Sequence, residues 1–348
     1  MDEVPLNMTF CTLAQNQYSD KGIIMERKSL SVLLSALVAS CGAQAELSDK
    51  NGFSGEVAIN VGYTSQTSNM NTEASAQRTK GETPTESNVL IAPLGNLQYT
   101  FGSNKQHQVF FGTSRADIAI GTLALELGYK NELSSGMTWS LAALPSVLQS
   151  EIWQDPYQLN GNRAETKEFG TAYRLQLEKT PLFGLNFDLA YGQINIDKET
   201  SGSELASGAD KLDRNGKVLY SKVEKFVPLS RTTFLLPSLK YIQRDADGSA
   251  MQNTGIGADL TAIMVRGQHQ FVTTVSYLNR NFDDTNPVFD KTRDDNQLKL
   301  FLAYEYVNFM GWENTSLVAF GGYDSVTSNI DFYDSSNWIV ATGLNYSF

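Results

Sequence analysis

The chain is poor in the residues on which most catalytic and crosslinking chemistry depends. Among its 348 residues are 2 Cys and 2 His, too few for a disulfide-stapled scaffold or for the His and Cys ligand sets of structural zinc. Basic residues are also scarce. The 27 Lys+Arg stand against 38 Asp+Glu, for a formal net charge of −11, whereas a nucleic-acid partner needs a clustered basic surface. No apolar run reaches the roughly 20 residues of a membrane-spanning helix. Proline is held to 9 residues while Gly (27), Phe (18), Tyr (15) and Trp (4) are plentiful, the composition of aromatic strands punctuated by turns.

The N-terminal residues read as processing signals rather than fold. Met25 to Lys28 supply a basic start, residues 29–40 a short apolar stretch, and Ala43-Gln44-Ala45 a small-x-small cleavage site. Residues 25–45 are expected to be a secretory signal peptide and residues 46–348 the mature domain. Residues 1–24 carry none of these features and read as an over-extended gene start. Val38-Ala39-Ser40-Cys41 also resembles a lipobox, so acylation of Cys41 stands as the alternative to cleavage after Ala45. With cleavage after Ala45, Cys11 and Cys41 both leave with the leader, and the mature chain is free of thiol chemistry.

The mature sequence alternates with a period of two, the signature of strands with one apolar and one polar face. Phe53, Gly55, Val57, Ile59, Val61 and Tyr63 share one face, and Ser54, Glu56, Ala58, Asn60, Gly62 and Thr64 the other. The pattern returns at Leu97-x-Tyr99-x-Phe101, Leu123 to Tyr129, Phe169 to Leu177, Leu185 to Tyr191 and Leu298 to Tyr306. It places strands near 53–64, 89–102, 107–115, 117–129, 136–148, 167–179, 184–196, 217–227, 232–243, 254–266, 270–282, 297–309, 315–324 and 337–348. One set of connections is long and polar (65–88, 149–166, 197–216, 244–253, 283–296, 325–336), with a tight one at Arg115-Ala116. The other set is short. That asymmetry predicts an all-β fold, a transmembrane antiparallel up-and-down β-barrel of about fourteen strands, with twelve as the alternative, and both termini in the periplasm. The long connections, 65–88 and 197–216 above all, are then expected outside the cell and mobile.

The C-terminus adds a specific signal. Trp338, Val340, Thr342, Leu344, Tyr346 and Phe348 alternate with Ile339, Ala341, Gly343, Asn345 and Ser347 to the last position. Gly343, Tyr346 and Phe348 look like the terminal signal through which bacterial outer-membrane barrels are recognised for insertion by the barrel-assembly machinery. A chain without spanning helices crosses lipid only as a closed barrel. The location expected is therefore the outer membrane of a Gram-negative bacterium, in contact with lipid and lipopolysaccharide. Tyr63, Tyr99, Phe101, Tyr129, Trp139, Tyr304, Tyr346 and Phe348 lie toward strand ends, as aromatic girdles require.

Gly95 through Tyr99-Thr-Phe-Gly102, Val109-Phe-Phe-Gly-Thr-Ser-Arg115-Ala-Asp117, Leu123-Ala-Leu-Glu-Leu-Gly-Tyr129 and Trp153-Gln-Asp-Pro-Tyr157 together resemble an uncharacterised outer-membrane family of marine gammaproteobacteria, known as a domain of unknown function. The resemblance runs over essentially all of the mature chain. It implies location and fold and supplies no catalytic or binding residues.

The remaining candidates for chemistry are few. His107 and His269 sit beside short turns and read as solvated turn residues. The acidic stretch Asp283, Asp284, Asp290, Asp294 and Asp295, diluted by Lys291 and Arg293, matches no calcium loop and reads as a solvated loop. No catalytic residues, metal site or cofactor are expected, and no enzyme. What remains is the lumen, for which the inward candidates are Glu56, Asn60, Asn96, Gln98, Glu126, Arg174, Gln176, Glu178, Asn186, Asp188, Lys299 and Glu305. Such a mixed set with acidic excess either lines a narrow pore or pairs off and plugs it. The expected function is a porin-like channel for small polar solutes with mild cation preference. The alternative is a closed barrel with a structural or surface-binding role through its long loops, and an outer-membrane enzyme ranks last.

Overall fold

The computed structural model describes residues 47, 48, 50–114, 117, 124–145 and 150–348. The leader and gene-start readings, with Cys11 and Cys41, lie outside these residues, as does the tight turn at Arg115-Ala116. Fourteen antiparallel staves form one sheet. They are β1 (Gly52–Thr67), β2 (Thr85–Phe101), β3 (His107–Thr113), β4 (Leu125–Glu132), β5 (Thr138–Pro145, resumed at Ser150–Trp153), β6 (Glu165–Glu178) and β7 (Leu185–Ile196). The second half is β8 (Gly216–Lys225, resumed at Val227–Pro228), β9 (Thr233–Ala246), β10 (Asn253–Arg266), β11 (His269–Asn286), β12 (Lys291–Val307), β13 (Thr315–Ser328) and β14 (Ser335–Ser347). Both pieces of β5 pair with β6, and both pieces of β8 with β9.

Each stave pairs with its sequence neighbour, and β14 returns to β1 with Val57 opposite Tyr346 and Asn60 opposite Gly343. At the end of this seam Gly55 and Phe348 exchange both backbone hydrogen bonds, at 3.0 and 2.9 Å. The sheet is therefore a closed barrel. Gly343 is required where it stands, because a β-carbon there would lie 2.1 Å from the Ile59 carbonyl oxygen and 2.5 Å from Asn60 Oδ1.

Period-two alternation becomes inside and outside. On β1, Ile59 and Val61 are half exposed while Ala58 and Asn60 between and beside them are buried. Val89, Leu141, Leu239, Ile256, Leu298 and Val340 are likewise exposed around the circumference. In water such an apolar belt forfeits about 25 cal/mol for each Å² left unburied, so the outer face is built for lipid. Phe53 and Tyr63 bracket the belt on β1. Their ten-residue separation, at roughly 3.3 Å per residue and a tilt of roughly 40°, gives about 25 Å of height, the apolar band of an outer-membrane barrel.

Aromatic girdles close both edges of the band. At the short-turn end the rings of Phe53, Tyr99, Phe101, His107, Tyr129 and Trp139 follow one another across β1 to β5 at centroid distances of 4.8 to 6.1 Å. His269 stacks between Tyr304 and Tyr306 in the same girdle. Both histidines are thus girdle members rather than solvated turn residues. His107 Nδ1 lies 2.6 Å from Tyr129 Oη, and His269 Nδ1 lies 2.8 Å from Tyr304 Oη. At the opposite end Tyr63 meets Trp338 at 5.5 Å.

The staves run further than the alternation predicts at the long-connection end. The supposed acidic loop 283–296 is mostly strand: β11 continues to Asn286 and β12 starts at Lys291. Arg293 and Asp295 bond to each other at 2.6 Å inside the barrel. Between β3 and β4 the opposite correction applies. β4 begins only at Leu125, and Asp117, read as the start of a strand, lies in the connection with a buried side chain.

Replacing Gly343 with Ala is expected to destabilise the barrel by about 1–3 kcal/mol, the usual cost of overpacking. A reduced midpoint in urea, followed by heat-modifiable electrophoretic migration, measures it.

Candidate functional site

Every residue singled out as a lumen candidate lies on a stave, opposite in parity to the lipid-facing residues. Gln98 Nε2 donates to Asn96 Oδ1, and Asn96 Nδ2 donates to Glu56 Oε1, at 3.1 and 2.9 Å, so three of them form one chain of hydrogen bonds. Asn60 Nδ2 donates to the Ala92 carbonyl at 3.2 Å. Ser140 Oγ donates to Gln176 Oε1 at 3.2 Å. Asn186 has a local task, since its Oδ1 accepts the Lys179 backbone N–H across the hairpin. Glu178 is half-buried and Glu305 buried, the latter opposite Gln270 and Val318.

Arg174 organises one side of the interior. Its guanidinium grips Asp117 through two bonds, at 2.5 and 2.9 Å, and Asp188 through two more, at 2.9 and 2.6 Å. Glu126 stands 3.5 Å away. The planar fork of arginine suits two carboxylates held side by side. Arg174 and Asp188 come from adjacent staves β6 and β7, while Asp117 arrives from the connection after β3. Sequence reasoning named Arg174, Glu126 and Asp188 and missed Asp117, because a strand pattern was drawn through it.

A second charged row crosses β8 to β13. Lys222 bonds Glu224 at 3.0 Å, and Lys240 bonds Asp259 at 2.6 Å. Lys299 sits opposite Asp324, whose carboxylate accepts from Gln297 Nε2. Arg280 Nη2 donates to Gln297 Oε1 at 2.7 Å. Lys222, Lys240, Arg280 and Arg293 are inward cations beyond the two, Arg174 and Lys299, that the sequence reading counted. Their signal was present: Lys240 lies between Leu239 and Tyr241, both exposed, so its parity alone sends it inward. Further inward carboxylates are Glu56, Glu126, Glu178 and Glu305, of which Glu126 lies 3.5 Å from Arg174. Among the described residues no group of three or more His, Cys, Asp or Glu is placed to hold a metal ion.

The mouth at the long-connection end is covered. Met70, Tyr157, Leu205, Leu212, Met251, Phe289, Ile330, Phe332 and Tyr333 form one apolar cluster. They come from all six long connections, which leave the rim at points spread around the barrel. Segments rooted on opposite sides of a rim meet only above its opening. Rings of Tyr157 and Phe289 each lie 5.3 Å from Phe332, and the hydroxyls of Tyr157 and Tyr333 are 2.7 Å apart. The few apolar residues of these loops thus pack against one another rather than standing apart in solvent.

Two arginines clamp this cap. Arg163 lies over the Trp153 ring at 4.1 Å and donates to the carbonyls of Asn69, Ser75 and Ala76 at 2.7 to 3.3 Å. Burial, with Arg78 nearby, brings its guanidinium down to about 10, still protonated at neutral pH. Arg214 donates to the Trp153 carbonyl at 2.8 Å and to Glu199 at 2.5 Å. Burial pushes the Glu199 carboxyl up, but the Arg214 charge and hydrogen bonds outweigh it and hold it below the usual carboxylate range.

Because the folded-state value of Glu199 is depressed, its contribution is present at neutral pH and lost as pH falls through the carboxylate range. Cap stability is expected to decline below about pH 4.5. Glu199→Gln should weaken the cap at neutral pH, since it leaves Arg214 buried without its counter-charge, and flatten that acid dependence. Hydrogen exchange of residues 197–215 as a function of pH reports both effects.

No curated protein matches the chain. Solved structures similar in plan include OmpT, an outer membrane protein of Vibrio cholerae, at 10% identity over 87% of this chain and 100% of that one, with a TM-score of 0.41. An anion-selective porin from Comamonas acidovorans shows 10% identity over 86% and 100%, TM-score 0.39. A mutant of the TodX monoaromatic hydrocarbon channel shows 10% identity over 86% and 90%, TM-score 0.44. The family model for a protein of unknown function, DUF2860, matches residues 52–347, from the first residue of β1 to the last of β14, and the chain belongs to that family.

Proposed function

We propose that the protein is an outer-membrane barrel that acts as a narrow channel for small polar solutes, with mild cation preference. The observation that carries this reading is the charged inner wall. Arg174, Asp188, Lys222, Lys240, Asp259, Lys299 and Asp324 are held at fixed places around the lumen. A barrel with only a structural role would be better served by an apolar interior, because desolvated ion pairs are often no more stable than the apolar groups that replace them. Paired charges in a hydrated lumen instead set a local field that orients polar solutes. The many inward carboxylates raise the local cation concentration.

The second reading, a closed barrel with a structural or surface-binding role, is favoured by the packed cap. In either case the girdles face lipid headgroups, the long connections face lipopolysaccharide and the outside, and the β14 end is offered to the assembly machinery. Planar-bilayer recording of the refolded protein decides between the readings: stepwise current supports the channel, and its absence leaves the closed barrel.

Ser207 is exposed on the β7–β8 connection. An epitope tag inserted there should be stained on intact cells, and staining only after permeabilisation would reverse the assigned orientation. In the conducting protein, Glu56→Gln with Glu178→Gln should lower cation preference at 0.01 M salt and leave it nearly unchanged at 1 M. Screening lengths of about 30 Å and about 3 Å set those limits. Reversal potentials in a salt gradient provide the measurement.

A further inference from the structure

We propose that the loop cap is the gate of this barrel and that Tyr333 is its latch; the proposal rests on the channel reading. The cap brings all six long connections together at the mouth, so its position bears on any path a solute takes there. Its members pack chiefly on one another, which makes it a single apolar body able to move as a unit rather than six independent loops. It is tied to the wall at several places, among them Lys211 and Ser249 on Asp284 of β11 and the Arg214 carbonyl on Arg244 of β9, and one side chain, Tyr333, joins it to the wall and to the far-side connection at once.

Tyr333 lies in the short turn Asp331–Tyr333 between β13 and β14. The Arg293 guanidinium sits 3.6 Å from the Tyr333 ring centroid on the cap side and 4.5 Å from the Phe282 ring on the wall side. Asp295 on β12 fixes that guanidinium at 2.6 Å. Phe282 and Asp295 belong to staves, so the stacked arginine joins cap to wall. The Tyr333 hydroxyl continues the join in two directions. It accepts from Asn286 Nδ2 at the end of β11 at 2.7 Å, and it meets the Tyr157 hydroxyl, from the β5–β6 connection, at 2.7 Å. Withdrawing this one side chain breaks the stack on the wall, the bond to β11 and the contact to the far-side connection together. Arg163 and Arg214 reach the wall at Trp153, the last residue of β5, and otherwise bind loop carbonyls and Glu199, which holds the cap's own segments to each other.

A cross-mouth staple provides the converse test. A β-carbon on Gly208, in the β7–β8 connection, would stand 3.3 Å from Pro287 Cβ, in the β11–β12 turn. That is just under the roughly 3.5–4.5 Å a disulfide spans, so Gly208→Cys with Pro287→Cys ties the β7–β8 connection to the β11–β12 turn, with the new side chain at a backbone φ of 83°.

The experiment is bilayer recording of wild type, Tyr333→Ala, Tyr333→Phe and the double-cysteine protein, each first shown to be folded by heat-modifiable migration. Tyr333→Ala is expected to raise time-averaged conductance at least about threefold. Tyr333→Phe, which keeps the ring on Arg293 and loses the hydroxyl, should fall between it and wild type. The staple should abolish current when oxidised and restore it on reduction. Equal currents in wild type, Tyr333→Ala and the oxidised staple would overturn the gate and leave the channel reading intact. Silence in every protein, reduced staple and Tyr333→Ala included, would remove the channel reading and the gate with it.

Discussion

In hydrocarbon no water is available to a peptide group, so every backbone N–H and C=O in the apolar band must find a partner within the chain. This constraint turns an ordinary alternating sequence into a barrel. It is met at the β14–β1 seam, where Gly55 and Phe348 exchange two bonds and Gly343 lets Ile59 approach without obstruction. The aromatic girdles and the parity of the staves are meaningful only once that seam is shut. A sheet open at the same place would expose two unpaired edges to lipid.

The interior follows from the exterior. Because lipid claims one parity, the other carries the charges of the apolar band, while outward charges such as Lys167, Lys217 and Asp245 stand toward strand ends, and the inward charges settle into pairs. Arg174 takes Asp117 and Asp188, Lys240 takes Asp259, and Arg293 takes Asp295. Such pairs contribute little net stability, since the cost of desolvation offsets most of the Coulomb gain. What they fix is position. The inner wall is a set of oriented dipoles whose geometry depends on register, and a slip of one residue would turn all of them into the membrane.

Much of this was legible in the sequence. Period-two alternation gave the fourteen staves and their faces, since residues such as Ile59, Leu141 and Val340 have one feature, parity, that decides their place. Lys222 and Lys240 were legible too, by the same rule, once their strands were placed. Other features depend on contacts between distant segments. Asp117 is drawn to Arg174 from a connection with no local signal, and the girdle role of His107 depends on Tyr129 and Phe101, which belong to neighbouring staves. Polar composition made the long connections look mobile. Their mutual packing comes from a handful of apolar residues such as Leu212, Phe289 and Phe332, each unremarkable in its own segment and apolar enough only in company.

The cap also fixes an order of events in folding. Its partners lie far apart along the chain: 176 residues separate the two tyrosines whose hydroxyls meet over the mouth. Contacts of such long range gain nothing until the intervening chain is already in place, because the entropy of closing so large a loop must first be offset elsewhere. Hairpins between adjacent staves form locally, the seam closes them into a ring, and only a closed ring brings all six connections within reach of one another. The mouth is therefore sealed last. A barrel newly closed at its seam then has a complete wall while its long-connection mouth is still uncapped.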